Sequence, residues 1–185
     1  MRSSVFVLAA AVALTSCASG PPPSTARLPG GAFGSNGDND IAAINTASWA
    51  FANPARTHGN SVNAIRAVLA IEYLAGELSS NPRWDFMSSL TKLEMLDARR
   101  ELRAKLGIAE DAPSQAVANA LLALSHEPTP AAAAELLKSP LFTLGPSATL
   151  ARIENLPYLP AANLASLHAS QQEFPGGGSS CVVCG

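Results

Sequence analysis

The sequence contains few charged and few aromatic residues, and it has no excess of basic ones. Charged side chains make up 14% of the 185 residues and aromatic ones 5%. Beyond residue 16, the chain carries 11 basic and 14 acidic residues, a net charge of −3. A nucleic-acid-binding protein needs a dense basic surface to neutralise phosphates. The composition therefore excludes nucleic acid as the expected partner.

Patterns that bind metals or cofactors are also missing. The chain has only three cysteines, Cys17, Cys181 and Cys184, and a zinc site needs four ligands. None of its three histidines has a Cys, Asp or Glu at the spacing of a metal site or a catalytic triad. We therefore expect no metal, no cofactor and no enzymatic activity.

The C-terminal Cys-x-x-Cys pair lies in a Gly- and Ser-rich segment. Such a segment offers no helix N-terminus to activate a redox thiol, and Gly185 stands where covalent haem attachment needs a histidine. We interpret Cys181 and Cys184 as a disulfide in an oxidising compartment, or as free thiols. A zinc ion or a disulfide shared between two chains is the alternative.

The N-terminus has the pattern of a secretory signal peptide. Residues 1–16 contain 11 apolar residues and one charge, Arg2. The apolar run Val5–Leu14 is too short to span a bilayer of about 30 Å as a helix, but it fits the hydrophobic region of a leader.

The end of this leader, Leu14-Thr15-Ser16-Cys17, resembles the lipobox of bacterial lipoproteins, in which an aliphatic and two small residues precede a cysteine. The resemblance covers only the first 20 residues. It implies that Cys17 becomes the first mature residue and carries a diacylglycerol thioether, usually with a further acyl chain such as palmitate. The alternative is an ordinary secretory leader with a spare cysteine.

The resemblance also implies a location in the cell envelope. In well-studied lipoproteins an Asp after the lipidated cysteine favours retention in the inner membrane, whereas Ala18 occupies that position here. We therefore expect an anchor in the inner leaflet of the outer membrane, with the protein facing the periplasm.

Composition divides the rest of the chain into a tether, a domain and a tail. Residues 20–37 contain four Pro and five Gly, so we expect a flexible, solvated tether over residues 17–37. A chain of this length has a typical reach of roughly 25 Å. A helical domain is predicted over residues 38–173 and a flexible Gly/Ser/Cys tail over 174–185.

The domain is predicted to be all-α, a single compact bundle of six or seven helices. In Val62–Leu78, 13 of 17 residues are apolar or Gly, which is typical of a central helix. A third helix is expected from about Trp84 to Leu106, with Asp97–Lys105 as a solvated, ion-paired face. No segment alternates with the period of a strand.

A polar groove is the candidate binding site. The loop Asn53–Asn60 is rich in polar residues, and helical spacing aligns further polar groups on the helix that follows it. We interpret these residues first as a capping loop that leads to a solvated helix stripe. The alternative is a polar groove that holds an anion or a peptide carboxylate through its two arginines. The candidate residues are Arg56, His58, Asn60, Arg66, Tyr73 and Glu77.

These observations favour a non-enzymatic binding or structural module. Its expected partners are the membrane, through lipidated Cys17, and another envelope protein or envelope component. One alternative is a carrier that encloses a lipid or other small apolar ligand within the bundle. The other is an enzyme of unrecognised class whose groups, drawn from the candidate groove, converge only in three dimensions.

Overall fold

Seven α-helices dominate the residues that the computed structural model describes, 22–34, 37–138 and 140–174. Two 3-10 turns, Pro54–Arg56 and Pro82–Trp84, accompany them, and no β-strand occurs within these ranges. The predicted all-α class is confirmed. The helices are α1 (Asn39–Phe51), α2 (Ser61–Ser80), α3 (Ser89–Leu106), α4 (Ser114–His126), α5 (Pro130–Leu136), α6 (Pro146–Glu154) and α7 (Pro160–Gln171).

Helix α2 occupies the centre of the bundle, as its composition predicts. Every residue from 67 to 76 is buried, and the helix packs against α1, α3, α4 and α6. Full burial of a side chain such as Leu69 or Leu74 contributes about 1.5–3 kcal/mol. Helix α7 packs against α1 and α3. None of the helices in the described ranges is both long enough and apolar enough to cross a membrane.

Helix α3 begins later than predicted, at Ser89 rather than near Trp84. The side chain of Asn81 accepts a hydrogen bond from the Arg83 amide, and this closes Pro82–Trp84 into a separate 3-10 turn. The Ser88 hydroxyl then caps α3 by accepting a hydrogen bond from the Thr91 amide. Such caps contribute about 0.5–2 kcal/mol each.

Residues 22–34, which we call the N-terminal strap, lie along the bundle. Ala26, Ala32 and Phe33 are only 3%, 4% and 8% exposed. The expectation of a solvated tether over 17–37 therefore does not hold for these residues. Residues 17–21 of that tether, the signal peptide and Cys17 lie outside the described residues, as do Cys181, Cys184 and all of the predicted tail except Phe174.

Hydrogen bonds to the strap backbone hold it in place. Arg99 Nη1 donates to the Ser24 carbonyl at 2.8 Å, and the Ser114 amide donates to Ser24 Oγ at 3.0 Å. The Gln115 side chain accepts from the Arg27 amide at 2.7 Å and donates to the Arg27 carbonyl at 3.0 Å. Helices α3 and α4 thus satisfy backbone groups of the strap that would otherwise need water.

Gly76 lets the strap approach α2 closely. A Cβ at this position would stand 2.6 Å from the Ser24 carbonyl oxygen and 2.8 Å from Thr25 Cα. Real side chains do not tolerate such distances, so only glycine permits this contact without a shift. The abundance of glycine and small side chains in this segment suggested a flexible tether. The same composition also allows a strap to pack closely against the bundle.

Candidate binding site beside Trp49

The loop between α1 and α2 forms one side of the candidate site. The Asn53 side chain accepts from the Ala55 amide and caps the Pro54–Arg56 turn. The Asn60 side chain caps α2 by accepting from the Asn63 amide. These two asparagines therefore have the capping role that the first interpretation of this loop predicts. His58, one of the candidate groove residues, is exposed on the same loop.

Trp49 of α1 is the aromatic group at the site. Its side chain is 46% exposed, and the Arg56 guanidinium carbon lies 5.3 Å from its ring centroid. Arg56 Nη1 also donates to the Trp49 carbonyl at 2.6 Å, and Asn63 Nδ2 donates to the Arg56 carbonyl at 3.1 Å. These bonds and the cation–π contact fix Arg56 against Trp49.

An open pocket of about 380 Å³, which we call the Trp49 pocket, lies where α1, α2 and the end of the strap meet. Two aromatic rings provide its apolar walls, and two amides, a hydroxyl and a guanidinium provide its polar groups. The lining residues are Phe33, Asn45, Thr46, Trp49, Asn63 and Arg66.

Arg66 has no acidic partner within the described part of the chain. No described carboxylate lies within ion-pair distance of its guanidinium. Its Nε is buried and lacks a hydrogen-bond acceptor among the described residues. Leaving a buried polar group unsatisfied costs about 1–3 kcal/mol, and more for a charged group. An anion bound to the Nη donors of the same guanidinium would offset this cost by compensating its charge.

The backbone of the strap packs against Arg66. A Cβ at Gly34 would stand 3.2 Å from Arg66 Nη1, so the strap backbone lies directly against the guanidinium. A planar guanidinium with free donors binds a carboxylate through two parallel hydrogen bonds. The arrangement can therefore recognise a small carboxylate whose apolar part rests on Trp49 or Phe33.

The other candidate groove residues lie farther along α2. Tyr73 is seven positions beyond Arg66, which is about 10 Å along a helix. Between them the strap covers the helix stripe, with the Phe33 ring centroid 6.4 Å from that of Tyr73. Glu77 accepts a hydrogen bond from the Asn81 side chain. Arg56 lies over the Trp49 ring and Arg66 lines the Trp49 pocket, whereas Arg56, Tyr73 and Glu77 are not part of that lining.

Tyr73 belongs instead to a buried cluster around Asp40. Asp40 Oδ1 accepts from the Tyr73 hydroxyl at 2.5 Å, and Oδ2 accepts from Trp84 Nε1 at 3.0 Å and Arg83 Nη1 at 3.1 Å. Burial, together with the hydrogen bond to Asp40, raises the pKa of Tyr73 well above its usual value. The cluster ties α1, α2 and the Pro82–Trp84 turn together.

Helix α3 contributes one partner of a buried ion pair that the sequence analysis did not predict. Asp97–Lys105 was expected to be a solvated face, yet the Arg103 side chain is 7% exposed and Glu72 of α2 is 3% exposed. Arg103 Nη1 also donates to the carbonyls of Glu110, at 2.8 Å, and Ala112, at 2.9 Å. The signal was Glu72 itself, an acid within an otherwise apolar run, which needs a cation in the neighbouring helix.

No group of three or more His, Cys, Asp or Glu side chains suited to a metal ion occurs in residues 22–34, 37–138 and 140–174. Comparisons of the chain with models of protein families, with curated proteins and with solved structures find no match.

Proposed function

We propose that the protein is a lipid-anchored, non-enzymatic binding module that faces the periplasm of a bacterial envelope. Cys17 anchors it, and the Trp49 pocket binds a carboxylate of another envelope component, such as a peptide. One observation carries the binding role: the guanidinium of Arg66, whose Nε is buried without an acceptor among the described residues, lines this pocket.

The motif Leu14–Cys17 supports the anchor. Two or more acyl chains hold a protein stably on a membrane, since each buried CH₂ contributes about 0.8 kcal/mol. Confinement to a membrane also raises the effective concentration of a partner on the same surface. A pocket of modest affinity is then sufficient for function.

The polar groups of the Trp49 pocket favour a carboxylate over an apolar ligand. Arg66 supplies the charge, and Asn45 and Thr46 add neutral hydrogen-bonding groups beside it. Trp49 and Phe33 offer surfaces for an adjoining apolar side chain. A peptide end combines these features, because its carboxylate lies next to a side chain.

Calorimetric titration of the full protein with N-acetyl-alanine tests the proposal, with N-acetyl-alanine amide as the uncharged match. We expect the acid to bind at least tenfold more tightly than the amide, and Arg66→Gln to remove this preference. Arg152→Gln is the control, because Arg152 is exposed on α6 and donates to the Lys105 carbonyl away from the pocket. Equal binding of acid and amide, or an unchanged Arg66→Gln variant, would overturn the proposed binding role.

A further inference from the structure

A second pocket lies where the strap begins. It has a volume of about 420 Å³, and Pro23 and Ser24 form one side of it. We call it the arginine pocket, because Arg99, Arg100 and Arg103 of α3 all line it. The charges of these three arginines are compensated in very different ways.

Arg103 and Arg100 have carboxylate partners, one buried and one exposed. Arg103 is held by Glu72 in the ion pair described above. Arg100 pairs with Asp97 at 2.6 Å on the surface, where the two side chains are 65% and 58% exposed. Exposed pairs of this kind contribute only about 0–1 kcal/mol, so Arg100 can turn to another anion at little cost.

Among the described residues, Arg99 is hydrogen-bonded only to neutral groups. Its Nη1 donates to Ser24 O and to Ser114 Oγ, at 2.8 and 3.0 Å, and no described carboxylate lies within ion-pair distance of it. Burial and the neighbouring charge of Arg103 lower the pKa of Arg99, although Glu72 acts in the opposite direction. An anion in the arginine pocket would stabilise this guanidinium.

The arginine pocket also contains acidic groups. The exposed residues Glu110 and Asp111, in the connection between α3 and α4, line it together with the arginines. A simple anion would meet these carboxylates as like charges. A molecule that carries a phosphate and an ammonium group would match both sets.

The start of the strap relates this pocket to the proposed anchor. Pro22 is the first described residue, and it follows Cys17 by only five positions. Five fully extended residues span at most about 18 Å. A lipid on Cys17 would therefore keep the mouth of the arginine pocket close to the phospholipid headgroups, instead of letting the domain stand away on a long tether.

We propose that the arginine pocket binds the headgroup of a zwitterionic phospholipid of the ethanolamine type from the membrane that holds the anchor. The phosphate is bound by Arg99 and Arg100, and the ammonium group by Glu110 and Asp111. The location of this ligand rests on the lipid anchor proposed above. Headgroup binding would fix which face of the bundle is turned to the membrane and leave the Trp49 pocket for the carboxylate partner.

Native mass spectrometry of the full protein, extracted from its own membrane into detergent, tests this inference. The probes are dihexanoyl-phosphatidylethanolamine, dihexanoyl-phosphatidylcholine and inorganic phosphate. We expect one ethanolamine lipid to be retained, with at least tenfold preference over the choline lipid, whose ammonium carries no N–H, and over phosphate. Arg100→Gln should weaken retention at least tenfold, while the exposed Arg152→Gln should not change it.

Substitution of the two acidic residues of the arginine pocket provides a second, independent test. Glu110→Gln combined with Asp111→Asn should reduce the preference for ethanolamine over choline, and neither residue takes part in holding the strap. The inference would be overturned if Arg100→Gln did not weaken retention of the ethanolamine lipid, or if the Glu110/Asp111 variant kept its preference for ethanolamine over choline. Equal retention of inorganic phosphate and the ethanolamine lipid would assign the pocket to soluble anions and overturn the membrane source.

The denatured mass of the same sample separates failure of the inference from failure of the anchor. A chain with a covalent lipid on Cys17 that retains no phospholipid contradicts the headgroup site and leaves the anchor intact. If the chain carries no covalent lipid but still binds the ethanolamine lipid selectively, the headgroup site is supported and the lipid anchor is contradicted.

Discussion

Arg103 of α3 and Glu72 of α2 form a bidentate ion pair in the core, with Arg103 Nε 3.0 Å from Glu72 Oε2 and Nη2 2.5 Å from Oε1. Removing water from two charges is costly, and the cost is met only when both partners are present and their remaining donors are satisfied. Here the carbonyls of Glu110 and Ala112 and the Ser114 hydroxyl accept further hydrogen bonds from Arg103. The pair thereby fixes α3 and its following turn against α2.

Substitution of one member of this pair should be strongly destabilising. We expect Glu72→Gln to lower the free energy of unfolding by about 3–5 kcal/mol, because it leaves Arg103 charged and buried without a counter-ion. The double variant Glu72→Leu, Arg103→Met should recover a large part of that loss. Urea unfolding measures both. A loss below about 1 kcal/mol in the single variant, or no recovery in the double, would contradict a buried pair.

Gly76→Ala should detach the strap while leaving the bundle folded. The added Cβ would meet the Ser24 carbonyl at 2.6 Å, whereas alanine favours the helix itself by about 1 kcal/mol. We therefore expect faster tryptic cleavage after Arg27, with little change in helical circular dichroism. Gly30→Ala is the matched control, because a Cβ at Gly30 meets nothing within 4 Å. Equal cleavage rates in Gly76→Ala and the unmodified protein would show that the strap does not lie on α2.

Tyr73→Phe tests the buried Asp40 cluster through its pH dependence. The variant should lose about 1–3 kcal/mol of stability at pH 8, since the Asp40 carboxylate loses its hydroxyl donor. The raised pKa keeps Tyr73 protonated in the folded state, whereas an unfolded tyrosine ionises near pH 10. The stability contributed by the hydroxyl is thus present below pH 10 and is lost as the pH rises above it.

The measurement is the unfolding free energy of the protein and the Tyr73→Phe variant between pH 7 and pH 11. The difference between them should narrow above about pH 10. A difference that stays constant over this range would mean that the Tyr73 hydroxyl ionises equally in both states, which would contradict its burial against Asp40.

Local signals in the sequence were sufficient for most of the helices. Thr129-Pro130 begins α5, and Gly107, with φ of 67°, ends α3, as the capping rules predict. The buried character of α2 followed from its nearly continuous apolar residues. These features depend on neighbours within one or two helical turns, which is why composition and spacing reveal them.

The strap and the buried pair depend on contacts between residues far apart in sequence. Ser24 meets Ser114 across 90 residues, and Glu72 meets Arg103 across 31. In neither pair does the residue type or the sequence spacing of one partner identify the other. Helical spacing predicted a polar stripe on α2, but composition could not show that the strap covers its middle and leaves Arg66 at a pocket. Arg56 lies over the Trp49 ring, and Arg66 lines the pocket that Trp49 also lines.

The proposed membrane anchor depends on the chemical state of Cys17. Mass spectrometry of the N-terminal peptide, from protein extracted from its own membrane, should show a chain that begins at Cys17 and carries a diacylglycerol thioether. The Cys17→Ser variant, in the same preparation, should lose this mass and leave the membrane fraction or remain unprocessed. An N-terminus at another residue, with Cys17 unmodified, would contradict the lipid anchor.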